Sequence, residues 1–211
     1  MGTWWWRGST YAPVKVINKL TGKADCVYNK LKSKNGNLFK KTIAEFIDDP
    51  KYNLTFQNGD CPSTDDACTN SSDINNIVIT IEDSNTNPLQ IAQYILHEAI
   101  HAELHRYVSR FQSGVDPNNR KRIFQLYKYY RDLNYDTGNI QHVYMTEKYI
   151  NPFASSLRLL DDNRYPLDYY KAFAWDGLRA WDANGLLKME MNSKYEQYRK
   201  IVIQNSQISC N

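Results

Sequence analysis

Asn87 followed by Pro88 is a cap and first-turn pair, and it opens a helix that the pattern carries to about Arg110. Ile91, Tyr94, Ile95 and Ala102 give this segment apolar faces, so it must pack into a core rather than project into solvent. Upstream, Val27, Tyr28 and Leu31 recur at helical spacing, and Phe39, Ile43, Phe46 and Ile47 do so after the Asn35-Gly36-Asn37 break. Tyr52–Phe56 and Ile77–Ile81 are short β-branched or aromatic runs and read as strands. Between them, Asn58 to Asp73 is polar and Asp-rich; it lacks EF-hand spacing and reads as a solvated loop.

Beyond the capped helix the chain reads as almost wholly helical. Asp116-Pro117 opens a helix through Leu133, and Asn139 starts another that Pro152 ends or kinks, because Pro removes a hydrogen bond and clashes with the preceding turn. Further helices are expected over Leu167–Arg179 and Ser193–Ile203. The expected class is therefore α+β: a small N-terminal sheet, a long central helix and a mostly helical C-terminal half. A chain of 211 residues can bury about 70% of its unfolded surface, so one domain over 1–211 suffices, with 1–12 as a lead-in.

Composition removes several alternatives. Hydrophobic residues at 42% and charged residues at 23% are globular values, which exclude a fibre or a disordered tail. No apolar run approaches a membrane span. A net charge of +3 argues against broad, charge-driven nucleic-acid binding, and Arg120-Lys121-Arg122 reads as a solvated face. Sixteen Tyr, seven Phe and five Trp suit half-buried surfaces and clefts. Cys61 and Cys68 bracket a short polar loop at disulfide spacing, which leans towards an extracytoplasmic setting, whereas Cys26 and Cys210 look separate. Met1-Gly2-Thr3-Trp4-Trp5-Trp6-Arg7 has no apolar signal-peptide core.

The capped helix also carries His97-Glu98-Ala99-Ile100-His101, an HExxH motif. Two His at i and i+4 share one helix face, so both imidazoles reach one ion, and Glu98 reaches a water beside it. With four His and seven Glu in the chain, one such motif arises by chance only about 0.2% of the time. A strand followed by an HExxH helix is similar to the zincin metallopeptidases, over about Ile77 to Arg110. The resemblance implies a zincin-like fold, zinc ligation by His97 and His101, Glu98 as general base, and hydrolysis of a peptide or protein held along a strand edge.

Leu104 and Tyr107 stand where the metzincin motif has Gly and His, and no downstream stretch supplies the gluzincin pattern. The chain most resembles small SprT-like and related bacterial zincins, which take a third His further along, though it lacks their zinc ribbon. Gln141 to Ile150 and Ala174-Trp175-Asp176-Gly177-Leu178 also resemble bacterial zincin-like domains of secreted or toxin-like proteins. A secreted effector and a non-catalytic, metal-stapled binding module remain the alternatives. Trp175 to Leu178 and Trp181 read as a packed helix end.

A catalytic zinc takes three protein ligands. His105 lies about 11 Å along the axis from His97, too far to close one shell with His101 between them, and reads as a supporting or surface group. Glu103 is expected to be solvated. His142 remains, with Met145, Thr146, Tyr149 and Ile150 on its side of the helix and Glu147 turned about 140° away towards solvent. Tyr144, Tyr149, Tyr169 and Tyr170 are candidate oxyanion donors that the sequence leaves unranked.

Overall fold

The structure, a computed structural model, describes residues 16–47, 49, 51–62, 65–82, 86–111, 140–178 and 193–210. Among them, four strands and seven helices form an α+β arrangement. The first third is β1 (Val16–Lys19), α1 (Gly22–Ser33), α2 (Leu38–Ala44), β2 (Asn53–Asn58), β3 (Ala67–Asn70) and β4 (Asn76–Ile81). α3 (Pro88–Phe111) follows, then α4 (Ile140–Lys148), α5 (Ile150–Leu160), α6 (Asp168–Trp175) and α7 (Ser193–Asn205).

The sheet runs β1-β2-β4-β3, parallel except for β3, which is antiparallel to β4. Parallel pairing needs a crossover, and α1 with α2 supplies the one between β1 and β2. Register follows the apolar alternation: Leu54 pairs with Ile77 and Phe56 with Ile79, all four fully buried. Tyr28, Phe39 and Phe56 meet edge to face at 5.0–5.7 Å, which packs both crossover helices onto β2.

Two strands lie outside the expected runs. β1 falls between the expected lead-in, 1–12, and the first helix. β3 lies within the stretch expected to be a solvated loop, and its Thr69 and Cys68 pair with Ile79 and Thr80 of β4. That pairing places β4 between β2 and β3 and leaves β1 and β3 as the two edge strands. Ile47, expected to pack with Phe39, Ile43 and Phe46, is half exposed instead, because α2 ends at Ala44.

α3 begins where the cap pair predicts. Asn87 Oδ1 accepts from the Leu89 N–H at 2.9 Å, and Pro88 fills the first turn, where a missing N–H costs nothing. The helix packs on α1, α2, β3 and β4 through Leu89, Ile91, Ala92, Ile95, Ala99, Ile100 and Leu104, all fully buried. Arg106 is 3% exposed and answers Asp49 at 2.7 Å and Glu45 at 3.2 Å, fixing α3 to the end of α2. In the C-terminal half, α5 packs on α6 and α6 on α7, with α5 and α6 also touching α3.

The helix break near Pro152 falls earlier than expected. α4 stops at Lys148, and Pro152 sits in the first turn of α5, the position it tolerates best. The helix expected over Asp116–Leu133, Arg120–Arg122 and Trp181 lie outside the described residues. No helix among them is long and apolar enough to cross a membrane.

Both cysteine pairs are joined. Cys61–Cys68 closes the expected loop and ends on β3. Cys26 and Cys210, expected to be separate, form a bridge across 184 residues, because the C-terminal tail returns to α1. Chain-entropy reasoning gives about 5 kcal/mol for so long a loop and about 2 kcal/mol for the short one. Replacing Cys26 and Cys210 by Ser should therefore lower the unfolding free energy in urea more than replacing Cys61 and Cys68. Equal losses would mean that the long bridge does not restrict the unfolded chain.

Candidate metal centre

His97 and His101 are half-buried on one face of α3, and Glu98 beside them is buried. His97 Nε2 and His101 Nε2 are 3.1 Å apart. α4 delivers His142 to the same point: its ring centre is 4.8 Å from that of His101 and 5.8 Å from that of His97. One nitrogen from each histidine lies within 4.8 Å of the others, and this trio could hold a metal ion. Metal–imidazole bonds of about 2.0–2.1 Å in a tetrahedral shell put ligand nitrogens about 3.3 Å apart, so the His97–His101 pair fits.

His101 Nδ1 lies 2.7 Å from Gln141 Oε1. An amide oxygen only accepts, so Nδ1 carries the proton and Nε2 keeps its lone pair for an ion. Gln141 immediately precedes His142, which makes α4 both a source of one imidazole and the orienting group of another. The expected helical face also holds, since Met145, Tyr149 and Ile150 are buried and Glu147 is exposed.

Burial holds the His97 imidazole well below its ordinary pKa, helped by His101 and His142. It pushes His142 down to about 3, with His101 as a second cause. Neutral imidazole is the ligating form, so burial prepares His97 and His142 for a cation. Glu98 is 8% exposed, and burial raises its carboxyl; His101 and Thr69 act against that rise. Thr69 Oγ1 lies 2.7 Å from Glu98 Oε2 and 3.1 Å from the Glu98 carbonyl, so β3 fixes the carboxylate.

These groups line a cleft of about 630 Å³ whose wall is built from α3, β3, the start of α4 and the turn after α6. His105 lines it too, 3.3 Å from Ser71 and outside the metal-capable trio, as its rise along the axis predicts. Glu103 is half-buried rather than solvated, because Tyr149 Oη donates to it at 3.2 Å. The four tyrosines proposed as donors do not line the cleft; Tyr94 does. Tyr170 instead donates to Asp161 at 2.7 Å, and Tyr169 stacks on Tyr198 at 3.8 Å.

The turn after α6 divides by residue. Trp175 packs against the core as expected, whereas Asp176 and Gly177 line the cleft. Gly177 has φ +76°, and a Cβ there would stand 3.4 Å from His97 Cε1, so the backbone lies directly beside the ring. Thr69, Gln141, Gln93 and Asp176 were not legible as site residues. Gln141 and Asp176 fell inside segments that the resemblance touched, without a role assigned to either. No family model matches the chain, and no curated protein or solved structure matches it significantly.

His142→Ala should cost most of the divalent metal retained after loading and dialysis, read by elemental analysis, while Glu147→Ala should leave it in place. The reverse pattern would remove His142 from the site. The metal-free protein should also respond to acid. Unfolded His142 takes its proton near pH 6.5, whereas the folded group does so only near 3. Its contribution is therefore complete above about pH 6.5 and is lost as the pH falls towards 3, amounting to ~2 kcal/mol by about pH 5. The fall in Tm from pH 7 to pH 5 should be smaller in metal-free His142→Ala than in metal-free wild type.

Proposed function

We propose that this chain is a zinc-dependent peptidase with a zincin-like fold, hydrolysing peptide bonds with Glu98 as general base. The observation that carries the reading is a buried carboxylate one residue from a histidine of a three-imidazole cluster, inside an open cleft. A purely structural metal site has no need of that carboxylate. His97, His101 and His142 would hold the ion; zinc suits such a set, and when bound it supplies Lewis acidity and an activated water at neutral pH.

The chain's own groups divide the remaining work. Glu98 accepts a proton from the attacking water and returns it to the leaving amine. Burial raises its carboxyl, which brings proton affinity closer to the operating pH. Thr69 holds one carboxylate oxygen at 2.7 Å, leaving the other to work. Gln141 keeps His101 in its ligating tautomer. β3, an edge strand, borders the cleft and has a backbone edge that suits an extended peptide. Bridges at 26–210 and 61–68, with no free cysteine among the described residues, support an extracytoplasmic setting.

Glu98→Gln is nearly isosteric and cannot take the proton. It should keep full zinc content while kcat/KM on a peptide library falls by about 10²–10⁴. A variant as fast as wild type would overturn the mechanism. A wild type inert on every peptide would favour a binding module.

A further inference from the structure

The cleft is chemically lopsided along α3. Gln93, His97, His101 and His105 recur every four residues, so they stack along one helix face about one turn apart. Beyond His101 the lining is His105 beside Ser71. In the opposite direction, around Gln93, the lining includes Asp65, Asp66 and Asp176, and no lysine or arginine lines the cleft among the described residues.

Three contacts organise that acidic end. Tyr94 Oη donates to Asp66 Oδ2 at 2.6 Å, and burial together with Asp66 keeps the phenol protonated. Gln93 Nε2 donates to Asp176 Oδ2 at 2.9 Å, which orients the amide with its nitrogen towards the carboxylate. Gln93 Oε1 is therefore turned elsewhere. It is buried, on a side chain only 4% exposed, and meets no donor among the described residues. Burying an acceptor without a donor is unfavourable, and Gln93 belongs to the cleft lining, so a ligand at this end is placed to supply one. Arg199, 3.3 Å from Asp176, is the cation nearby, and it stands outside the lining. Among the described residues, that guanidinium is the one cation set against the carboxylates lining this end.

We propose that the Gln93 end of the cleft is a subsite for a cationic group of the substrate, received by Asp66, Asp176 and the Gln93 carbonyl oxygen. The group is an ammonium or guanidinium, from a Lys or Arg side chain or from a peptide N-terminus. Its place about one helical turn from the metal-capable histidines rests on the peptidase reading above, and it makes that reading selective for basic peptides. Carboxylates accept from such donors with charge assistance, and an acidic peptide would meet like charge.

The test separates binding from turnover. Zinc-loaded Glu98→Gln protein is titrated, with anisotropy readout, against N-acetylated fluorescent peptides differing only in one Lys, Gln or Glu. A fourth peptide has a free N-terminus and no basic side chain. The Lys peptide should bind about tenfold more tightly than the Glu peptide at low salt, and the gap should shrink at high ionic strength. Adding Asp66→Asn should reduce the gap to about threefold or less, and Asp176→Asn should act alongside it; zinc content and circular dichroism check folding. Tight binding of the fourth peptide would assign the subsite to the α-ammonium rather than a side chain. Equal affinities, no binding of any peptide, or a gap unchanged in a folded Asp66→Asn protein would overturn the subsite. Wild-type turnover with no charge preference would overturn it while leaving the peptidase reading intact. Charge-selective binding without wild-type turnover would do the opposite.

Discussion

Burial of α3 on one side is the constraint from which the rest of the structure follows. Ile91, Ile95, Leu96 and Ile100 are all but inaccessible, and each is worth about 1.5–3 kcal/mol when removed from water. That sum fixes the rotation of the helix about its own axis. A shift of one residue would turn every side chain by about 100°, taking His97 and His101 away from α4 and Glu98 away from β3. Ala92, Ala99 and Ala102 are also buried. Their small side chains let neighbouring elements approach closely enough to bring other groups to the site.

Once α3 is fixed, separate elements complete the centre by single contacts. β3 reaches Glu98 through Thr69, α4 reaches His101 through Gln141, and the turn after α6 lays Gly177 against His97. Each contact satisfies a polar group that the apolar packing would otherwise strand, or fits backbone where a side chain would crowd. The Cys61–Cys68 bridge ends on the strand that carries Thr69, so the covalent closure and the position of the Glu98 carboxylate share one short element.

Burial acts oppositely on the two kinds of ionisable group, and both effects suit the proposed chemistry. Desolvation disfavours imidazolium, which leaves His97 and His142 neutral and able to ligate. It disfavours carboxylate as well, which raises the proton affinity of Glu98. An environment that pushes acids up and bases down prepares ligands and a proton acceptor together. The acidic side chains at the Gln93 end stand apart from the metal-capable histidines and belong to the proposed subsite.

Much of this was legible locally. Caps, helical spacing and β-branched runs announced α1, α2, β2, β4, α3, α4, α6 and α7, whereas α5 was not expected as a helix of its own. The i, i+4 spacing placed His97 and His101 together, and the apolar stripe around His142 marked the face that turns inward. These signals persist because a helix brings residues four apart into contact whatever surrounds it. β3 was hidden because its residues are polar and its strand state depends on pairing with β4, a partner its own sequence does not name. The Cys26–Cys210 bridge, the Tyr149–Glu103 contact and the choice of Tyr94 over Tyr144, Tyr149, Tyr169 and Tyr170 depend on where distant segments return. Chain periodicity gives the direction of a side chain on its own element. Only the packing of elements against one another decides what that side chain meets, and this is why the helix was readable from sequence while the groups that orient its histidines and glutamate were not.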